Sequence, residues 1–172
     1  MRYTPTAALG IAVVLGCMPG RSAWGQDASG RALGTAHPRP FVAIAHRDLT
    51  FGEVLPGITT TIRSDDPRHS ALFEVQGQAN GAVRIEFLLP SALTSPSGAE
   101  LALSFAYGDG QADFSRARFR GVRFDPRSPL IASLGPNGKL YVKLGGTVLP
   151  TINQPGGVYT ATISITVFNL GT

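Results

Sequence analysis

The chain has 172 residues, 43% of them hydrophobic and only 15% charged, with 21 glycines and 13 prolines and a formal net charge of +4. That is long enough and apolar enough for one domain with its own core. Aromatic and β-branched residues come in short runs between the turn formers, the composition of an all-β domain; no run reaches the roughly 20 apolar residues of a membrane-spanning helix, and no stretch has the pattern of an amphipathic helix of three turns.

The first 25 residues read as an export signal. Arg2 supplies a positive start, Ala7 to Leu15 ("AALGIAVVL") an apolar core, and Ala23 and Gly25 the small residues at −3 and −1 of a cleavage site before Gln26. The single cysteine, Cys17, falls inside this segment, so cleavage leaves a mature chain with neither thiol nor disulfide. A rival reading takes "VLGC" (Val14 to Cys17) as a lipoprotein box with Cys17 as a lipidated N-terminus. Residues 26–40, "QDASGRALGTAHPRP", are a small, polar, Pro/Gly-rich tether in either case. Loss of Arg2 and Arg21 with the signal leaves 13 basic against 11 acidic residues, a net of +2. With export, that small excess argues against a nucleic-acid partner.

From Phe41 to Thr172 the chain breaks into short segments alternating with period two. "PFVAIAHRDLTFGEVLPG" predicts strands around Val42–Ile44 and Leu49–Phe51, with a turn at Pro56-Gly57. "ITTTIR" places Ile58, Thr60 and Ile62 on one face, and "ALFEVQG" groups Ala71, Phe73 and Val75, followed by a turn ending at Asn80-Gly81. "AVRIEFLLP" directs Val83, Ile85, Phe87 and Leu89 inward until Pro90 stops the ladder. "LALSFAY" aligns Leu101, Leu103, Phe105 and Tyr107. "KLYVKL" alternates Leu140, Val142 and Leu144 with Lys139, Tyr141 and Lys143, and Gly145-Gly146 marks a bulge or sharp bend. The closing stretch, "GGVYTATISITVFN", puts Tyr159, Ala161, Ile163, Ile165 and Val167 on one face and Thr160, Thr162, Ser164 and Thr166 on the other. Together these predict an immunoglobulin-like, Greek-key β-sandwich of seven to eight antiparallel strands. The long last strand is expected at its centre, pairing with Leu140–Leu149 and completing its own domain.

Candidate chemistry is sparse. His37, His46 and His69 have no partner at metal spacing, and no nucleophile, zinc or phosphate-loop motif occurs; no metal, cofactor or enzymatic activity is predicted. Asp65-Asp66 reads as a solvated turn. In "YGDGQAD", Asp109-Gly110 reads as a turn supplying positive φ rather than a calcium loop. The remaining constellation is "FSRARFRGVRF", Phe114 to Phe124. If extended, it lines Arg116, Arg118 and Arg120 along one face, a ladder suited to an anionic polysaccharide or, more simply, to solvating a strand edge.

The segments "DLTFGEV", "ALFEVQG" with "VRIEFLLP", and "KLYVKLGGTVLPTINQPGGVYTATISITVFN" resemble the bacterial family domain of unknown function 4402, whose members look like relatives of spore coat protein U and of chaperone–usher pilus subunits. The resemblance spans about Leu49 to Asn169; its closing hairpin combines the bend at 145–146 with Gln154, Gly157 and Tyr159. Residues 108–130 are longer and richer in arginine than that pattern, and Phe168 stands near its closing tyrosine. The resemblance implies a non-catalytic structural or adhesive protein of the periplasm, the outer surface or the extracellular space, with itself or other surface proteins as partners, and supplies no catalytic residues. Pilus subunits of this kind leave their sandwich one strand short for a neighbour's N-terminal extension. Here the mature N-terminal segment has Leu33 as its only large aliphatic side chain and makes a poor donor.

Overall fold

The computed structural model describes residues 40–117 and 121–171; the export segment and nearly all of the tether lie outside them. Twelve strands and no helix occur among the described residues: β1 (Val42–Arg47), β2 (Thr60–Ile62), β3 (Ala71–Gln76), β4 (Ala82–Leu88), β5 (Ala92–Thr94), β6 (Glu100–Ser104), β7 (Gly110–Asp113), β8 (Val122–Phe124), β9 (Leu130–Ser133), β10 (Lys139–Leu144), β11 (Gly146–Leu149) and β12 (Ser164–Asn169). All pair antiparallel. They form a five-stranded sheet β1-β3-β10-β7-β8, a four-stranded sheet β2-β11-β6-β5 and a three-stranded sheet β12-β4-β9.

The alternation in the sequence sets which side chains meet. Phe73 and Val75 of β3, Val142 and Leu144 of β10 and Phe124 of β8 face Val83 and Ile85 of β4 across one shared core, so the five- and three-stranded sheets pack face to face as a sandwich. Phe87 of β4 bridges them, its ring 5.9 Å from that of Phe73 and 6.3 Å from that of Phe124. Leu101, Leu103, Phe105 and Val148 build a second, smaller core on the four-stranded sheet. The predicted inward faces of β3, β4 and β10 are found as read, and that of β6 as far as Phe105; Tyr107, expected on the same face, lies beyond the strand and is exposed.

Gly145-Gly146, read from the sequence as a bulge or sharp bend, is a corner between two sheets. The chain leaves the five-stranded sheet at Leu144 and enters the four-stranded sheet at Gly146. A side chain on Gly145 would strike the Ile62 carbonyl oxygen and stand 2.7 Å from the Ser64 nitrogen, so only glycine passes. A second switch follows β4, where Leu89-Pro90-Ser91 carries the chain from the three-stranded sheet into β5 of the four-stranded one.

The structure also departs from the sequence reading in its strand count, strand pairing and turns. Twelve strands replace the seven to eight expected, because β5 and β8 are only three residues long and β7, β9 and β11 four, too short for alternation to register. The last strand is six residues long, lies at the edge of its sheet and pairs with β4, not with 140–149. Both edges of β10 are taken by β3 and β7, and both edges of β11 by β2 and β6, which leaves no ladder there for it. Leu49–Phe51 forms no strand; Thr50 only donates its N–H to the His69 carbonyl. The positive φ near Asp109 belongs to Gly108 (φ 95), while Gly110 opens β7 beneath the Phe124 ring.

Candidate functional site: an open edge and the trough beside it

Hydrogen-bond phase decides what β12 offers its surroundings. In an antiparallel ladder a residue's N–H and C=O point to the same side, and the side alternates along the strand. Thr160 exchanges both bonds with Thr94, and Leu170 donates to the Ala82 carbonyl, so even-numbered residues face β5 and β4. Ile163, Ile165, Val167 and Asn169 therefore turn their backbone groups to the opposite, open side. Ile163, Ile165 and Val167 also direct their side chains to the first core yet stay half-buried, since no strand of the described residues lies beyond them in the sheet. β1 is the edge of the facing sheet on the same flank, and some of its Cα atoms come within 8 Å of those of β12.

Beside this edge the second core is incomplete. Two adjoining cavities of about 740 and 310 Å³ share Asp48, Leu49, Phe51, Leu93 and Ala161 as walls. One wall is the irregular segment 48–56 and the other the extended segment 157–163, over a floor that includes Leu101 and Leu103. Phe51, Val54 and Tyr159 are only half-buried against the core there. The second wall is fixed by side chains: Gln154 donates to the Tyr159 hydroxyl (2.8 Å) and the Glu100 carbonyl (3.0 Å), and Tyr159 donates to the Pro155 carbonyl (2.6 Å). A trough of this size with one extended wall and an apolar floor has the shape that receives an extended chain or a small amphiphile.

A polar cluster lies on the outer face of the five-stranded sheet. Glu74 on β3, only 4% exposed, is flanked by His46 of β1 (Nε2 to Oε2, 2.7 Å) and Lys139 of β10 (Nζ to Oε1, 2.7 Å), and Gln76 donates to it at 2.9 Å. The register of β1 slips between Ala45 and Arg47, so His46 is an inserted bulge residue; the bulge lets His46 reach Glu74 while Arg47 reaches the Ser70 carbonyl and hydroxyl. The Lys139 hydrogen bond, with those of His46 and Gln76, holds the Glu74 carboxyl down to about 2 against the opposing effect of its burial. Lys143, predicted outward, is outward but buried, and burial pushes its ammonium below its usual range. Sequence alternation gives the side of the sheet and not whether that side is covered, so neither Glu74 nor Lys143 stood out.

Among the described residues, those singled out from the sequence do not gather into one cluster. Arg116 stands exposed in the bend after β7, where Asp113 accepts the Ser115 N–H and ends the strand. The extended reading therefore fails at Arg116; Arg118 and Arg120 lie outside the described residues. Asp65 pairs with Arg63 and Arg123, while Asp66 accepts the N–H groups of Arg68 and His69, so the two adjacent carboxylates serve different partners. Asp109 accepts the Ala106 N–H within its turn. Among the described residues no three His, Cys, Asp or Glu side chains come together as metal ligands, and no helix is long and apolar enough to cross a membrane. No protein family and no curated protein significantly matches this chain.

Proposed function

We propose that this chain is a non-catalytic structural or adhesive β-sandwich, exported to the bacterial periplasm or surface, that works by lateral association with its neighbours. The observation that carries the reading is the open edge of β12, whose alternate backbone groups have no ladder partner among the described residues. Exposed edges of this kind template pairing with another chain. The resemblance to coat and pilus-type proteins over Leu49 to Asn169 supports the same reading. Light scattering after size exclusion of the protein exported to the periplasm tests it. Association that grows with concentration is expected; a monomer at every concentration overturns it.

The trough favours a second reading, polymerisation by a donated strand. Its extended wall, 157–163, and its apolar floor of Leu101 and Leu103 offer what such a donor needs. Deleting residues 26–40 separates the two: lateral association survives the deletion, and donation from that segment does not.

A further inference from the structure

Resting on the lateral-association reading, we propose that the partner of β12 is β12 of a second copy of this chain, paired antiparallel about a twofold axis through Thr166. The first support is the contrast among edges. Among the described residues three sheets present six edge strands, and five of them are blunted. β1 carries the bulge at His46, β2, β5 and β8 are three residues long, and β9 is four residues long directly after Pro129. β12 alone is six residues long with an unbroken register and no charge or proline, so it lacks the devices that keep edges apart.

The second support is phase. Two antiparallel strands related by an axis perpendicular to the sheet bring same-face residues opposite one another. Ile163 extends the alternating inner face of β12, and the segment Ile163 to Asn169 is centred on Thr166. In this register Ile165 lies opposite Val167 of the second copy, and Ile163 opposite its Asn169. These are the residues whose N–H and C=O point to the open side, so each such pair exchanges both bonds. Thr166 meets its own copy on the axis as a non-hydrogen-bonded pair.

The third support is side-chain chemistry. Ile165 and Val167, half-buried in one copy, cover each other in the pair, and on the outer face Ser164 lies opposite Phe168. No charge stands on either β12. The nearest outer-face charges, Arg84 and Glu86 of β4, are one strand back and already form an ion pair. The twofold closes on itself, so the product is a dimer with one continuous six-stranded sheet and not a fibre. A single short edge falls among small interfaces, under about 1,200 Å² of total buried area, and forms reversibly.

Cysteine cross-linking reads the register directly. In a Cys17→Ser background the introduced thiol is the only one. Cα atoms of a non-hydrogen-bonded pair are about 4.5 Å apart, within disulfide range. Thr166→Cys is expected to cross-link into covalent dimers about tenfold faster than Ser164→Cys or Phe168→Cys alone, since pairing holds the two thiols at high effective concentration. A mixture of Ser164→Cys and Phe168→Cys proteins is expected to cross-link as a heterodimer. Thr166 is exposed and its backbone bonds are retained, so circular dichroism should be unchanged; Thr166→Lys, which opposes two ammonium groups on the axis, should shift sedimentation to the monomer. Association that persists without preferential cross-linking at 166, or that is lost on deleting residues 26–40, overturns the symmetric pairing. In the first case lateral association stands through another surface. A monomer at every concentration overturns both.

Discussion

Glu74 shows how one residue ties three strands together. Its carboxylate joins β1 through His46 and β10 through Lys139 while sitting on β3 between them. Its pKa falls from 4.5 to about 2 on folding, so its stabilisation is complete above the unfolded value and is lost as pH drops from about 4.5 through about 2. Glu74→Gln should cost about 1–3 kcal/mol at neutral pH, as loss of charged hydrogen bonds does. Urea titrations should also show a flatter loss of stability between pH 5 and pH 2 than in the unsubstituted protein; an identical pH profile would refute the role. Gly145 is the backbone counterpart. Gly145→Ala forces a methyl onto the Ile62 carbonyl at the point where the chain changes sheets, and should destabilise by about 3–5 kcal/mol or prevent folding. The glycine pair was plain in the sequence. The Glu74 cluster was not, because its partners lie 28 and 65 residues away in the chain and meet only through strand order.

At the scale of the element, two chain segments each serve two sheets: β10–β11 turns at Gly145, and β4–β5 turns at Pro90. Each turn stops one ladder and starts another, which is why the second core is covered by the irregular segments 48–56 and 157–163 rather than by a sheet. β12 carries a sharp signature of its edge position. At concentrations that favour the monomer, the amides of Thr166 and Phe168, bonded to β4, should exchange slowly with solvent deuterium. Those of Ile165 and Val167 should exchange fast, and should gain protection as concentration rises. Uniform protection along the strand in the dilute protein would mean that its second edge is already filled. The alternating face of β12 was legible from sequence; its neighbour was not. Alternation says which side chains share a face and is silent on which of several ladders a strand joins.

For the whole molecule, Phe41 is the first described residue that packs on the first core. Its ring lies where a Gly77 side chain would stand, whereas Pro40 before it is exposed. Deleting residues 26–40 should leave the melting temperature within a few degrees of the mature protein, while Phe41→Ala should cost about 2 kcal/mol. Thermal unfolding by circular dichroism checks both; a large loss from the deletion would place a structural strand in the tether. Mass spectrometry of the exported chain should find Gln26 at its N-terminus; a lipidated Cys17 would replace that expectation with membrane anchoring.

The sequence by itself determined the class of the fold and the inward faces of β3, β4, β10 and β12, because alternation and turn chemistry are local and repeat every two residues. It also marked Gly145-Gly146 as a bulge or sharp bend, which the fold uses as the corner between two sheets. Tertiary structure alone decided the order of the strands, the burial of Glu74 and Lys143, and the open edge of β12. Those depend on which ladders are already occupied and which outer faces are covered, and such long-range competition leaves no periodic mark in the chain.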